Sequence, residues 1–436
     1  MLNSINHKMY LSHNQAVKNL IIILLAGFFL LFGCSTSRLS KFDDRLKKDT
    51  FQNSFHGLVV MDAKTNKLLY NTNGDKYFTP ASNTKIATLF TGIQMLPEHF
   101  PTLKYVEKND SVCIIPTGDP SWLHPYLNDS SAINFLRQKK NIAAYLNNFE
   151  DGRFGPGWAW EDYPYYFSAE RSPLPLYGNV VSLSNIDGLE ASPFIFMDSI
   201  QLTTSSTGRA EFHNQFYVHS EQQDTVEVPF LIKKGLTKVL LESVLKKEIT
   251  LLDSLPSGVA KILYGIPSDS IYKRMMHVSD NFLAEQIMMT ASSTLSDTLG
   301  IQRAIDHMLE NELSFLEHSP RWVDGSGLSR YNLFTPKSFV QILKRLHQEV
   351  DEERLFEIFP NWDATGTVSK WENPDINPFI FAKSGSFGNN YNLSGYLKTK
   401  SGKLLIFSFM NNHFQIPSSE VRLQIYTLLM SLHERH

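Results

Sequence analysis

The stretch Pro80-Ala81-Ser82-Asn83-Thr84-Lys85 is the part of the chain on which the fold prediction depends. Apolar residues follow it at helical spacing, which predicts that a buried helix begins here: Ile86, Leu89, Phe90 and Ile93. Residues three apart share one face of a helix, so the amine of Lys85 can reach the hydroxyl of Ser82. Ser82 is therefore a candidate nucleophile, although a serine that only caps the helix would give the same pattern.

Two strands are predicted just before this helix. Residues 55–62 are rich in apolar and β-branched side chains, and residues 67–70 repeat this character after a turn at 64–66. The segment therefore predicts a strand pair that leads directly into the turn of Ser82.

A second polar motif, Ser279-Asp280-Asn281, lies between two stretches with helical apolar spacing, 270–277 and 282–289. A loop between two helices can direct Ser279 and Asn281 into a cleft. An ordinary turn is the alternative.

A third motif, Lys383-Ser384-Gly385, follows the apolar run at 379–382. Two further strands are predicted at 393–397 and 403–410, antiparallel and joined through residues 400–402. We expect Lys383 on an edge strand beside the cleft, where a substrate carboxylate can dock. A simple strand end is the alternative.

The order S-x-x-K, S-D-N, K-[ST]-G is the signature of penicillin-binding proteins and serine β-lactamases. From about Phe51 onward the chain resembles the class C low-molecular-mass penicillin-binding proteins, the D-alanyl-D-alanine carboxypeptidase/endopeptidase family (peptidase family S13). Further likeness lies in Gly118-Asp119-Pro120 and in residues 155–162, 165–169 and 324–330. The resemblance implies an α/β (α+β) penicillin-binding-protein/serine β-lactamase-like transpeptidase fold with inserted, mostly β domain(s).

The long separation of Lys85 from Ser279 predicts a discontinuous catalytic domain. We assign residues 51–102 and 255–436 to it and residues 103–254 to one or two inserted domains. Strands are predicted in the insert at 111–115, 194–197 and 215–218.

The N-terminus carries an apolar run over residues 20–33 that ends at Cys34. As a helix it would span only about 20 Å, short of a hydrocarbon core of about 30 Å. Residues 1–33 are therefore predicted to be a lipoprotein signal peptide, and residues 34–50 a linker. Cys34 resembles the lipidated cysteine of a bacterial lipobox, which predicts a lipid-anchored protein on the periplasmic side of the cell envelope, at the outer membrane. A buried cysteine is the alternative.

Composition limits the possible partners and cofactors. The net charge is −3, from 41 basic and 44 acidic residues, so no nucleic-acid partner is expected. Cys34 and Cys113 are the only cysteines, and lipidation of Cys34 would leave Cys113 without a disulfide partner. His213 and His219 match no metal spacing, and neither a metal nor another cofactor is expected.

The resemblance assigns a role to each motif. Ser82 would form an acyl-enzyme with the D-Ala carbonyl, and Lys85 would be the general base, with its pKa lowered by burial beside Lys383. Ser279 would relay a proton to the leaving amine, and Asn281 would hold both the substrate amide and Lys85. The natural ligands would be peptidoglycan stem peptides, and β-lactam antibiotics would bind at the same place.

The resemblance also names substrate-binding residues. Ser384, with Lys383, would bind the terminal carboxylate, and Gly385 and Ser386 would continue that side of the cleft. The backbone N–H groups of Ser82 and Ser386 would form the oxyanion hole. Asp162, beside Glu161, would contact the distal amine of a diaminopimelate side chain, and Phe167 would line the same pocket. For Asp162 a turn cap is the alternative.

Two other function classes remain open at this point. A serine β-lactamase or esterase could use the same groups, but it would need an efficient deacylating base, and none is evident. A non-catalytic envelope lipoprotein could keep the fold for binding, but the complete set of motifs argues for chemistry.

Overall fold

The computed structural model of the chain describes Phe51 and residues 53–363, 366–368 and 378–435. The predicted signal peptide at 1–33, the lipidation site Cys34 and the linker at 34–50 lie outside the described residues. Among the helices that are described, none is both long enough and apolar enough to cross a membrane. The described residues from Phe55 onward form one compact unit.

The strands of this unit, numbered in chain order, are β1 (Phe55–Asp62), β2 (Leu68–Thr72), β3 (His99–Lys108), β4 (Ser111–Pro116), β5 (Asn141–Ala144), β6 (Val180–Ser184), β7 (Glu190–Ser192), β8 (Ile200–Thr203), β9 (Gly208–Arg209), β10 (Phe216–His219), β11 (Val226–Pro229), β12 (Ile249–Leu251), β13 (Lys261–Pro267), β14 (Asn361–Asp363), β15 (Gly366–Val368), β16 (Ile380–Phe387), β17 (Asn390–Lys398) and β18 (Leu404–Asn412). The α-helices are α1 (Lys85–Met95), α2 (Ser131–Arg137), α3 (Lys234–Leu245), α4 (Ser268–His277), α5 (Asn281–Ser292), α6 (Ile301–Glu310), α7 (Pro336–Glu349), α8 (Glu352–Ile358) and α9 (Ser418–Arg435).

The largest sheet has the strand order β15-β14-β16-β17-β18-β1-β2. The predicted bounds of β1 are confirmed, and so is the antiparallel pairing of β17 with β18. Helices cover both faces: Tyr396 donates a hydrogen bond to Leu343 in α7, and the guanidinium of Arg422 in α9 lies over the ring of Tyr391. Tyr391 and Tyr396 point to opposite faces because they are an odd number of positions apart. The sheet is therefore the middle layer of this part of the molecule.

The prediction that Lys383 lies on an edge strand is wrong for the sheet as a whole, because β14 and β15 lie outside β16. The short strand β14 pairs with β16 only at Phe381, whereas β17 pairs with it from Ile380 to Phe387. Beyond Phe381, no described strand pairs with the outer side of β16. The part of β16 that carries the third motif therefore has no described strand on its outer side, as an edge strand would.

The region between α1 and α4 has its own sheets and its own core. A five-stranded sheet has the order β12-β5-β4-β3-β13, and two three-stranded sheets have the orders β11-β6-β7 and β8-β10-β9. Apolar side chains such as Trp122, Phe216 and Leu241 form a core here, separate from the one beneath the largest sheet. The five-stranded sheet runs from His99 in β3 to Pro267 in β13. The predicted domain limits at 103 and 254 stay a prediction.

One predicted strand of this region is wrong. Residues 194–197 lie in a 3-10 helix, Phe194–Ser199, and not in a strand. Phe194 is 78% exposed, whereas Phe196 is buried against Phe216. An apolar run with one buried ring can form its backbone hydrogen bonds within a short helical turn. Hydrophobicity alone therefore did not identify the conformation of residues 194–197.

Candidate active site

Ser82 lies in a 3-10 turn, Ala81–Thr84, that runs directly into α1. Neither this turn nor α1 has a side-chain cap hydrogen bond, so the interpretation of Ser82 as a helix cap finds no support. Thr84 donates its hydroxyl to the carbonyl of Ala81 at 2.9 Å, and Asn83 donates its amide to Ser394 Oγ at 2.7 Å. These contacts fix the turn to itself and to β17.

Two glycines allow other chain segments to approach this turn closely. A Cβ atom on Gly385 would lie only 2.9 Å from the backbone nitrogen of Ser82 and 2.7 Å from that of Asn83. Gly327, with φ +82°, packs closely against the same turn, and a Cβ atom on Gly327 would overlap the carbonyl oxygen of Ala81. Glycine is needed at both positions because any side chain would displace the turn that carries Ser82.

Lys85 lies at the centre of the site and is completely buried. Its Nζ donates hydrogen bonds to Ser82 Oγ at 3.0 Å, to Asn281 Oδ1 at 2.6 Å and to the carbonyl of Ser326 at 2.7 Å. A protonated lysine has three hydrogens, which these acceptors use completely. In the neutral amine, two hydrogens can satisfy Asn281 and Ser326 while the lone pair faces Ser82.

The pKa of Lys85 is lowered to about 8, and burial is the cause. The carboxylates of Asp324, Asp280 and Glu285 act in the opposite direction and keep the pKa from falling further. Both protonation states of Lys85 are therefore accessible near neutral pH, as an amine that takes and returns a proton requires.

Lys383 is also buried, at 1% exposure, and its Nζ donates to the carbonyl of Ser384 at 2.8 Å. Burial holds the pKa of Lys383 well below its ordinary value, and the charge of Lys85 lowers it further. The charge of Lys85 thus acts on the pKa of Lys383, whereas Lys383 is not among the causes that lower the pKa of Lys85, so that part of the prediction is wrong. Half-buried Ser384, buried Gly385 and exposed Ser386 continue along β16 in sequence order.

The second motif joins α4 to α5, as predicted. Ser279 has a left-handed backbone with φ +59°, and Asp280 caps α5 by accepting the backbone N–H of Leu283 at 3.0 Å. Asn281 is held at both ends of its amide, because Nδ2 donates to the carbonyl of Phe167 at 3.0 Å while Oδ1 accepts from Lys85. The fold therefore brings Ser82, Lys85 and Asn281 into direct contact, with half-buried Ser279 two residues from Asn281.

A buried charge network behind Lys85 was missed by sequence analysis. Arg171 pairs with Glu285 at 2.7 Å, and both side chains are almost completely buried. Glu285 also accepts the backbone N–H of Ser326 at 2.7 Å, the residue whose carbonyl accepts from Lys85. The pair therefore positions a backbone group that touches the proposed base.

Asp324 organises the loop that contains Gly327. Its carboxylate accepts from Trp158 Nε1 at 2.9 Å, from the backbone N–H of Ser329 at 2.6 Å and from Asn332 Nδ2 at 2.7 Å. Burial, followed by the charge of Glu285, raises the pKa of Asp324. The Trp158–Asp324 contact joins residues 155–162 to residues 324–330, two of the stretches in which the sequence resembles the family.

Asp162 and Phe167 do not hydrogen-bond to Lys85, but the carbonyl of Phe167 accepts from Asn281, which does. Asp162 ends the 3-10 turn Trp160–Asp162, which has no side-chain cap, so a capping role for Asp162 finds no support. Burial raises the pKa of Asp162, and the nearby charge of Arg330 opposes this. Arg330 in turn lies 5.0 Å from the ring centre of Phe387, one residue after Ser386.

The fold can be identified from solved structures. The crystal structure of penicillin binding protein 4 from Haemophilus influenzae superposes with a TM-score of 0.69 at 18% identity, covering 90% of this chain and 99% of that chain. A predatory peptidoglycan endopeptidase from Bdellovibrio bacteriovorus, Bd3459, superposes with a TM-score of 0.51 at 15% identity, over 87% and 93% of the two chains. The predicted penicillin-binding-protein fold with extra β domains is confirmed.

The profile of the D-Ala-D-Ala carboxypeptidase 3 (S13) family matches residues 39–230 and 262–432. The chain belongs to this family, as predicted. D-alanyl-D-alanine carboxypeptidase DacB of Haemophilus influenzae is 30% identical over 156 residues, which is 34% of this chain and 32% of that protein. This alignment thus spans about a third of the relative's length. Penicillin-sensitive carboxypeptidase A of Dictyostelium discoideum is 23% identical over 402 residues, 76% of each chain.

Proposed function

We propose that the protein is a serine-type D-Ala-D-Ala carboxypeptidase or DD-endopeptidase that cleaves peptidoglycan stem peptides and is acylated by penicillin. The observation that carries the proposal is the contact of Lys85 Nζ with Ser82 Oγ at 3.0 Å, in a buried site where the amine has a lowered pKa. Membership of the S13 family supports the choice of substrate.

The first chemical step is a proton transfer. Neutral Lys85 takes the proton of Ser82, and Oγ attacks the carbonyl carbon of the penultimate D-Ala residue. The negative charge that develops on the carbonyl oxygen would be stabilised by the backbone N–H groups of Ser82 and Ser386. The C–N bond then breaks, and the proton that Lys85 took from Ser82 passes through Ser279 to the leaving amine, which returns Lys85 to its neutral form. Water later adds to the ester and restores free Ser82.

Lys383 and Ser384 would bind the terminal carboxylate of the substrate. The pKa of Lys383 lies well below its ordinary value in the absence of ligand. A carboxylate that enters beside Lys383 favours the protonated amine, so binding would draw a proton onto Lys383.

Intact mass spectrometry after incubation with benzylpenicillin tests the proposal. A stable adduct of one penicillin per chain, together with release of D-alanine from a pentapeptide, is the expected result. Rapid consumption of penicillin without an adduct would instead favour the β-lactamase interpretation. No adduct and no consumption would favour a binding protein without catalysis.

The rate of acylation should depend on the protonation of Lys85. Because the neutral amine is the base, we expect the second-order rate constant for penicillin acylation to rise with pH and to level off above the pKa of about 8. The measurement is stopped-flow acylation from about pH 6 to about pH 10. A rate that is flat across this range would remove Lys85 from the role of base.

Asp162 and Arg330 bring opposite charges close to one another, which suits the amine and carboxylate at the end of a diaminopimelate side chain. We expect Asp162→Ala to lower kcat/KM for a diaminopimelyl-D-Ala-D-Ala peptide about tenfold, the effect of roughly 1.4 kcal/mol. A simple acyl-D-Ala-D-Ala substrate lacks the distal amine and should be affected much less.

Glu161→Ala is the matched control for Asp162→Ala, because Glu161 is the exposed acidic neighbour. If both variants lose the same activity, the effect is one of general charge. If Asp162→Ala affects both substrates equally, the assignment to the diaminopimelate amine is wrong.

The location of the protein is also a proposal. Lipidation at Cys34 would anchor the protein to the outer membrane, on the periplasmic side of the envelope. The peptidoglycan substrate lies in the periplasm, within reach of a protein anchored in this way. The mass of the N-terminal peptide from the membrane-extracted protein tests this, and an unmodified Cys34 in that peptide would exclude the anchor.

A further inference from the structure

Tyr391 in β17 is a buried tyrosine beside the third motif, and the proposed mechanism makes no use of it. In the antiparallel pairing of β16 with β17, Tyr391 lies directly opposite Ser386. Residues directly opposite each other share one face of a sheet, and so do residues two apart in one strand. The side chains of Tyr391 and Ser384 are therefore diagonal neighbours on the same face, a separation that a long aromatic side chain can span.

The hydroxyl of Tyr391 is held by hydrogen bonds with Trp362 and Ser384. Trp362 in β14 donates its Nε1–H to the hydroxyl oxygen at 2.9 Å, and the side chain of Ser384 hydrogen-bonds with the same hydroxyl. Both aromatic side chains are almost completely buried, and the guanidinium of Arg422 in α9 lies over the ring of Tyr391. The fold therefore fixes the Tyr391 hydroxyl next to Ser384.

The direction of these hydrogen bonds follows from which groups can donate. An indole N–H can only donate, so the oxygen of Tyr391 accepts from Trp362 and its own O–H remains available. An ionised carboxylate can only accept, so Ser384 must donate to a substrate carboxylate that it binds. Tyr391 must then be the donor to Ser384 Oγ. All the bonds run one way, from Trp362 to the carboxylate, and each one strengthens the next.

Tyr391 keeps the proton that this arrangement requires. Burial raises the pKa of Tyr391 to about 12, and the contacts with Trp362, Arg422 and Ser384 act in the opposite direction. The neutral hydroxyl is therefore present throughout the pH range in which Lys85, with its pKa of about 8, titrates.

Ser384 and Lys383 approach a ligand from opposite faces of β16. Successive residues of a strand point to opposite faces, and Gly385, two positions after Lys383, faces the turn of Ser82. No described strand pairs with the outer side of β16 beyond Phe381, so a ligand along this open side is within reach of both side chains. Lys383 brings a charge on a flexible stem, whereas the short hydroxyl of Ser384 has to be aimed.

We propose that Tyr391, held by Trp362, positions the hydroxyl of Ser384 for the terminal carboxylate of the substrate. Tyr391 is a positioning residue, because it contacts Ser384 and not the reacting atoms. The inference rests on the proposed function, since it takes a ligand with a terminal carboxylate. It assigns part of the discrimination between a free and a blocked C-terminus to a residue outside the three motifs.

Two thioester substrates with the same acyl group test this role. Both carry an acyl-D-Ala group on thioglycolate, one with the free carboxylate and one with the carboxylate converted to an amide. Tyr391→Phe removes the hydroxyl and keeps the ring, and we expect it to lower kcat/KM for the acid about tenfold, the equivalent of roughly 1.4 kcal/mol. The amide has no carboxylate to align, so its kcat/KM should stay close to the parental value.

A double-mutant cycle shows whether the effect passes through Ser384. In the Ser384→Ala background, Tyr391→Phe should leave the acid-to-amide ratio of kcat/KM unchanged. Trp362→Phe removes only the outermost donor, so it should lower the ratio less than Tyr391→Phe does. Combined with Tyr391→Phe, it should have no further effect on the ratio.

Tyr396→Phe is the matched control, because Tyr396 lies in the same strand and donates a buried hydrogen bond to Leu343 on the opposite face. Its acid-to-amide ratio should equal that of the parent. Each ratio compares two substrates on one protein, so partial unfolding of a variant cancels. A parental ratio in Tyr391→Phe, an equal fall in Tyr396→Phe, or a fall that persists in the Ser384→Ala background would overturn the proposal. Penicillin labelling of the parent reports separately on the proposed function.

Discussion

Ser82→Ala should eliminate covalent labelling by benzylpenicillin while the protein stays folded. No other described hydroxyl accepts a hydrogen bond from Lys85 Nζ, so the base would have no alternative nucleophile in contact. Loss of an activated nucleophile costs about 10⁴-fold or more in rate, which would place acylation below detection by intact mass. Near-ultraviolet circular dichroism should match the parent because Ser82 Oγ makes no contact that holds the turn together.

The matched control is Ser205→Ala, which removes an exposed hydroxyl from the inserted region. This variant should label at the parental rate. An adduct that persists on Ser82→Ala would show that another residue is the nucleophile. Loss of the adduct in both variants would point to damage that is unrelated to the site.

Glu285→Ala should destabilise the protein by about 3–5 kcal/mol, because it leaves the buried guanidinium of Arg171 without its partner. The midpoint of urea unfolding measures this loss. The variant should also acylate slowly, since the backbone of Ser326 would lose the acceptor that positions it beside Lys85. The stability and acylation effects should therefore appear together.

Glu317→Ala is the control for this prediction, because Glu317 pairs with Lys337 at the surface, where the two side chains are 53% and 30% exposed. A pair in solvent contributes roughly 1 kcal/mol at most. If the two glutamate variants unfold at the same urea concentration, the buried pair does not have the structural importance inferred here.

Local patterns accounted for much of this fold. The apolar residues of β1 and the helical spacing after Lys85 are signals contained within about ten residues, and the structure places those elements close to their predicted bounds. The loop of Ser279 between two helices could be predicted for the same reason. The contact of Lys85 with Asn281 followed from a family signature, because no local pattern specifies a partner so far along the chain.

The parts that could not be predicted depend on long-range contacts. Nothing near Arg171 in the sequence indicates Glu285 as its partner, and an isolated glutamate in an apolar helix does not show whether it will be buried. The role of Gly327 depends on the approach of a distant turn. The strand prediction at 194–197 was wrong for a related reason. Whether an apolar segment becomes a strand depends on whether another strand pairs with it.

The position of β1 between β2 and β18 has a consequence for biosynthesis. The ribosome releases β1 and the turn of Ser82 early, but β18 emerges only after most of the chain has been made. An isolated strand pair is marginally stable at best, so the nascent β1–β2 hairpin cannot complete the sheet by itself. Asn281 and Ser326, which hold Lys85, are also made late. The growing polypeptide would therefore carry its serine in an inert state until synthesis is almost finished.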